Sequence, residues 1–139
     1  MKKLPFEIDL KGKTAVITGA GGVICGSFAR ALAACGASVA LLDVNYDAAK
    51  AVADEIGDNA LAVKCNCLDK QSITEAKKAV DERFGGTDIL INGAGGNNPK
   101  ATCDNEYMTP ETKGVKDFFA LEESGLKFVF DLNITSAFL

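Results

Sequence analysis

Two identical glycine turns carry the first chemical signal in this chain: Gly19-Ala20-Gly21-Gly22 within VITGAGGVICG, and Gly93-Ala94-Gly95-Gly96 within ILINGAGGNNP. Each follows an apolar run. Glycine lets a ligand or another backbone approach without a Cβ in the way, and a strand ending in glycines before a helix points free N–H groups out at the helix's positive end. The first turn has that setting and predicts a cradle for a pyrophosphate. Asp43 closes the next apolar run, where a carboxylate can accept hydrogen bonds from an adenosine ribose and would repel a 2′-phosphate. Strand, glycine turn, helix and acid in that order predict dinucleotide binding, with NAD favoured over NADP. Gly21 and Gly26 also have the spacing of an NTPase P-loop. Ser27 stands where its lysine belongs and Phe28 where its magnesium-binding hydroxyl belongs, which argues against triphosphate hydrolysis.

Other chemistries are narrowed by what the composition omits. The 139 residues contain no histidine, which removes Ser-His-Asp and Cys-His catalysis and histidine metal ligation. Cys25, Cys35, Cys65, Cys67 and Cys103 form an odd set with no C-x-x-C pair, so free thiols are expected and neither a disulfide framework nor a metal site. Cys65 and Cys67 are expected to share one side of a strand. A net charge of −4 without a basic run argues against nucleic acid or an anionic membrane surface as partner. No apolar stretch long enough to span a bilayer and no secretory h-region is present, so a cytoplasmic protein is expected. The sequon at Asn133 is disregarded for the same reason.

Elements that would position the turns follow from periodicity. Thr14–Thr18 (TAVIT), Ser38–Leu42 (SVALL), a run from Ala60 to Val63 and Asp88–Ile91 (DILI) read as strands. Between them lie helix patterns over Gly26–Cys35, Asp47–Ile56 and from Ser72 to Phe84, ended by Gly36, Gly57 and Gly85. Ser72-x-x-Glu75 reads as a capping box for the third. Apolar strands alternating with helices predict an α/β fold, a doubly wound parallel sheet covered on both faces, in a single domain. Residues 97–123 are polar with no clear period and are expected to form a long loop on the substrate side. Helical spacing resumes from Leu126 to Leu139, where Leu126, Val129, Phe130, Asn133 and Ala137 fall on one stripe, so a buried amide is expected to interrupt an apolar face.

The ordered set Thr18-Gly19, Asp43, Asn66 with Asp69, and Asn92-Gly93-Ala94-Gly95 resembles the short-chain dehydrogenase/reductase family, from residue 11 to the last. The strings TGAGGVICG, LLDVN, CNCLD, INGAGGNNPKAT and GLKFVFDLN are similar to its subgroup of D-mannonate oxidoreductases, or fructuronate reductases. That resemblance implies a Rossmann-like fold and NAD-dependent hydride transfer on a small sugar acid, interconverting a hydroxyl and a ketone, with homo-oligomer formation expected. It implies cofactor contacts at Gly19, Gly21, Gly22, Val23, Ile24, Asp43, Val44, Asn66, Cys67, Asn92, Ala94 and Gly95, and a catalytic role for Asn133 in holding a proton-relay water. Four positions depart from the family pattern: Val23 and Cys25 stand where it has glycines, Gly93 replaces the usual second asparagine, and Asn66 stands where an aspartate that touches adenine is common.

The resemblance also implies a catalytic serine and Tyr-x-x-x-Lys beyond the four-strand portion present here. Tyr46-x-x-x-Lys50 has the spacing but follows Asp43 directly, at the adenosine end, and is set aside. The chain is therefore read as an N-terminal half that is inactive alone, with its fourth strand an unpaired edge. A truncated, non-catalytic subunit that binds only NAD or a partner is the alternative.

Overall fold

The computed structural model describes residues 8–112 and 116–139. It forms two compact units, Met1–Ala94 and Gly95–Leu139. In the first, β1 (Thr14–Thr18), α1 (Val23–Ala34), β2 (Ser38–Asp43), α2 (Tyr46–Ile56), β3 (Ala60–Lys64), α3 (Lys70–Phe84) and β4 (Ile89–Ile91) alternate along the chain. All pairings are parallel and the strand order is β3-β2-β1-β4. This is the predicted α/β, Rossmann-like arrangement, with β1 between β2 and β4.

Side chains alternate faces along each strand, and the two faces bury different helices. Ala15, Ile17, Val39 and Leu41 pack with Ala29 of α1 and with Ala49, Val52 and Ala53 of α2. Val16, Ala40 and Leu42 pack on the other side with Ala76 and Val80 of α3. Two buried faces explain why TAVIT and SVALL are apolar without alternation.

Several boundaries differ from the sequence expectation. Helix α1 begins at Val23, before the alanine-rich stretch; Val23 and Ile24 are 88% and 70% exposed and fit no buried stripe, so periodicity does not reveal that start. The capping box over Ser72 and Glu75 does not form. Asp69 is the N-cap of α3 and accepts from the Gln71 N–H at 2.9 Å, while Ser72 Oγ accepts from the Asn66 N–H at 3.0 Å. Glu75 instead takes a hydrogen bond from Gln71 Nε2. Strand β3 stops at Lys64, so Cys65 and Cys67 lie in the loop after it, both buried.

Among its described residues the second unit has three single-turn 3-10 helices, Pro99–Ala101, Pro110–Thr112 and Phe118–Ala120, then α4 (Glu123–Phe130), a π-helical turn (Asp131–Thr135) and α5 (Ser136–Phe138). Asn98 and Asp117 cap the first and third 3-10 turns with their side chains. Gly125 is needed where α4 meets the Pro99–Ala101 turn: a Cβ there would lie 2.6 Å from Lys100 Cβ. The wide turn interrupts the continuous helix expected over Leu126–Leu139. No helix among the described residues is long and apolar enough to cross a membrane.

Burial separates the strand residues energetically. Ile17 is fully buried, whereas Leu90 on the end strand β4 is 58% exposed. Ile17→Ala is expected to cost about 2–5 kcal/mol and Leu90→Ala well under half of that, read from urea unfolding midpoints at constant m. Equal losses would contradict this assignment of the core.

Candidate functional site

Because all four strands are parallel, their carboxyl ends lie at one edge, and the sequence-predicted residues Gly19 to Ile24, Asp43, Val44, Asn66, Cys67, Asn92 and Ala94 follow those ends. The first turn is tied down by its own amides. Ala20 N–H donates to Leu42 O at 3.2 Å, Gly21 N–H to Asp43 Oδ2 at 2.9 Å and Gly22 N–H to Gly19 O at 3.1 Å. Those three amides are therefore occupied. The next three, on Val23, Ile24 and Cys25, have no acceptor among the described residues. Gly22 offers no capping side chain and the first turn of α1 holds no acid. An uncapped helix start of this kind is suited to an anion.

The second turn closes against the first, backbone to backbone. Gly19 has φ +67°, and a Cβ on it would lie 2.8 Å from Gly93 O and 3.0 Å from Ala94 Cα. Thr18 Oγ1 accepts from both Gly93 N–H (3.1 Å) and Ala94 N–H (3.0 Å). One threonine thus joins β1 to the second turn. Any Cβ on Gly93 would overlap Cys25 Sγ, so the thiol of α1 fills the space that a side chain at 93 would need. Nothing in the linear sequence connects Thr18 or Cys25 with Gly93, and the contacts appear only once β4 pairs with β1.

The remaining predicted groups have local partners. Asn66 Oδ1 accepts from Leu68 N–H, and Val44 is exposed at the end of β2. Burial first, then neighbouring Cys67, pushes the Cys65 thiol up to about 11; burial also raises Cys67 and Cys25. These thiols are neutral at physiological pH and poor nucleophiles. Lys50 pairs with Asp54 at 2.7 Å, a bond that raises its pKa and draws it away from any work with Tyr46. Among the described residues no group of three or more Cys, Asp or Glu is placed to hold a metal ion.

In the second unit, Gly95 is pinned by Asn133: a Cβ at Gly95 would lie 2.6 Å from Asn133 Oδ1. That oxygen accepts from Gly96 N–H at 3.1 Å, and Asn133 Nδ2 donates to Gly96 O and Val129 O, each at 2.8 Å. The amide pairs with both polar groups of Gly96 as a neighbouring strand would. Asn133 is exposed rather than buried, as are Leu126, Phe130 and Ala137 of the stripe expected from regular helical spacing. Both of its N–H groups are occupied, so a water would meet only the remaining lone pair of its oxygen.

Two outcomes are expected from this geometry. Gly93→Ala should destabilise the fold by about 1–3 kcal/mol, and in a Cys25→Gly background the same change should cost less, because Thr18 O then remains as the principal obstacle. Additive denaturation energies would show that residues 25 and 93 are uncoupled. The raised Cys65 pKa favours the folded state below about pH 9, the unfolded thiol value, and that contribution is lost as pH rises through about 11. Iodoacetamide at pH 8 should accordingly leave Cys65 and Cys67 unlabelled in the native protein and label them after unfolding.

The family model for short chain dehydrogenase matches residues 13–139. An uncharacterized oxidoreductase of Haemophilus influenzae is 47% identical over 94% of this chain and 47% of its own length. A crystal structure of a provisionally named D-mannonate oxidoreductase from Haemophilus influenza, with bound NAD, superposes with a TM-score of 0.89 at 47% identity, covering 94% of this chain and 48% of that one. The 3-ketoacyl-(acyl-carrier-protein) reductase of Brucella melitensis, complexed with NADH, gives a TM-score of 0.76 at 30% identity, over 94% of this chain and 48% of that one. The chain spans about half the length of these relatives. Fold, glycine turns and family match agree: the chain belongs to the short chain dehydrogenase family.

Proposed function

We propose that this chain forms the cofactor-binding half of an NAD(H)-dependent oxidoreductase that interconverts a sugar-acid hydroxyl and a ketone, of the D-mannonate/D-fructuronate type. The observation that carries the cofactor part is the row of amides on Val23, Ile24 and Cys25, without an acceptor among the described residues, directly after the occupied amides of Ala20, Gly21 and Gly22. The arrangement fits a dinucleotide: those amides receive the pyrophosphate, Gly19, Gly21 and Gly22 keep its path clear, and Asp43 accepts from the adenosine ribose. Val44, Asn66 and Cys67 border the adenine side, while Asn92, Ala94 and Gly95 let the other ribose approach. When bound, NAD(H) takes or supplies the hydride at the substrate's carbinol carbon.

The sugar-acid part rests on similarity to the NAD-bound Haemophilus structure and on the long segment 97–123. Asn133 is the proposed catalytic asparagine, acting by holding Gly96 in place and by offering one oxygen lone pair to water. Proton transfer needs a group these residues do not supply, since there is no histidine and Lys50 is paired with Asp54. We assign that step to a serine and a Tyr-x-x-x-Lys in the remainder of a longer protein. Assembly into homo-oligomers and a cytoplasmic location belong to the same proposal.

Calorimetric titration tests it: the 139-residue chain should bind NAD more tightly than NADP and show no NAD-dependent oxidation of D-mannonate. Turnover by this chain alone would overturn the division of labour, and absence of NAD binding would overturn the cofactor assignment. A reading frame that stops at Leu139 in the encoding DNA would favour the non-catalytic binding subunit instead.

A further inference from the structure

We infer that Asp43 is a positioning residue for the pyrophosphate turn in addition to its proposed contact with the ribose, an inference that rests on the NAD reading above. Its two carboxylate oxygens already have partners. Oδ2 accepts from Gly21 N–H at 2.9 Å and Oδ1 from Asn45 N–H at 2.8 Å. Asn45 is itself the N-cap of α2, its side chain accepting from Ala48 N–H. The carboxylate therefore clasps the glycine turn after β1 to the start of the helix after β2.

Steric fit shows how closely the clasp is drawn. A Cβ on Gly21 would lie 2.7 Å from Ala48 Cβ and 3.0 Å from Asp43 Oδ2, so glycine at 21 follows from contact with α2 and Asp43 as well as from any ligand. Without Asp43, the turn keeps one bond to β2, from Ala20 N–H to Leu42 O. The amides of Val23, Ile24 and Cys25 leave this turn directly, and their aim depends on where Gly21 and Gly22 are held. A bare carboxylate beside an anion cradle would repel the anion. Here two N–H groups stabilise its charge, and two of its roughly four lone-pair positions remain for ribose hydroxyls.

One consequence distinguishes this role from simple ribose recognition. Replacing Asp43 slackens the pyrophosphate turn, so both NAD and NADP bind less tightly and the preference does not simply invert. The discriminating probe is an NAD analogue whose adenosine ribose lacks its 2′ and 3′ hydroxyls, compared between the unaltered chain, Asp43→Ala and Asp43→Asn. Asp43→Ala should bind this analogue about tenfold more weakly than the unaltered chain, with Asp43→Asn between them, since an amide keeps one acceptor oxygen. In the ligand-free chain, the Gly21 amide proton should exchange faster in Asp43→Ala, a readout that needs no cofactor. Circular dichroism establishes that each variant is folded, and Asp43→Asn carries the comparison if the alanine variant is not. Equal affinity of the unaltered and variant chains for the dideoxy analogue, with unchanged Gly21 exchange, would overturn the clasp and leave the cofactor reading standing. Failure of the unaltered chain to bind NAD would overturn that reading and this role with it.

Discussion

The closest constraint in the first unit is the approach of two main chains, at Gly19 and at Gly93, where the turns after β1 and β4 meet with no room for a Cβ on either. It follows from the parallel pairing of β1 with both β2 and β4, which delivers three strand ends to the same small volume. Thr18 makes the approach tolerable. The consecutive amides of Gly93 and Ala94 are gathered on its one hydroxyl, so both have an acceptor where the turns meet. The first turn is thereby shaped from both sides: Thr18 and Gly93 hold one flank, and Leu42 with Asp43 hold the other. What this shaping leaves free is the start of α1.

Most of this fold was legible from apolar periodicity because parallel strands buried on two faces leave a strong signal. TAVIT and SVALL were recoverable for that reason, as were the glycine C-termini at Gly36, Gly57 and Gly85, all with positive φ. The start of α1 was not, since Val23 and Ile24 are apolar residues turned outward where a periodic reading wants polar ones. Capping at Ser72 was misread because the pattern S-x-x-E is local, whereas Ser72 is claimed by the loop containing Asn66, and Asp69 had the better position.

Site residues divide in the same way. Asp43 and the glycines were readable because their order along the chain mirrors the order of strand ends. The assignment of amides was not: sequence treats Gly21, Gly22, Val23 and Ile24 alike, while hydrogen bonding occupies the first two and frees the last two together with Cys25. Asn133 was expected from its place on a stripe and from resemblance, yet its pairing with Gly96 could not be foreseen, because the two are 37 residues apart in the chain.

Cys25 and Gly93 also constrain each other. A Cβ at 93 would overlap the Cys25 sulfur, so a change at either position is felt at the other. The second glycine turn is thereby tied to a helix that no local motif would associate with it.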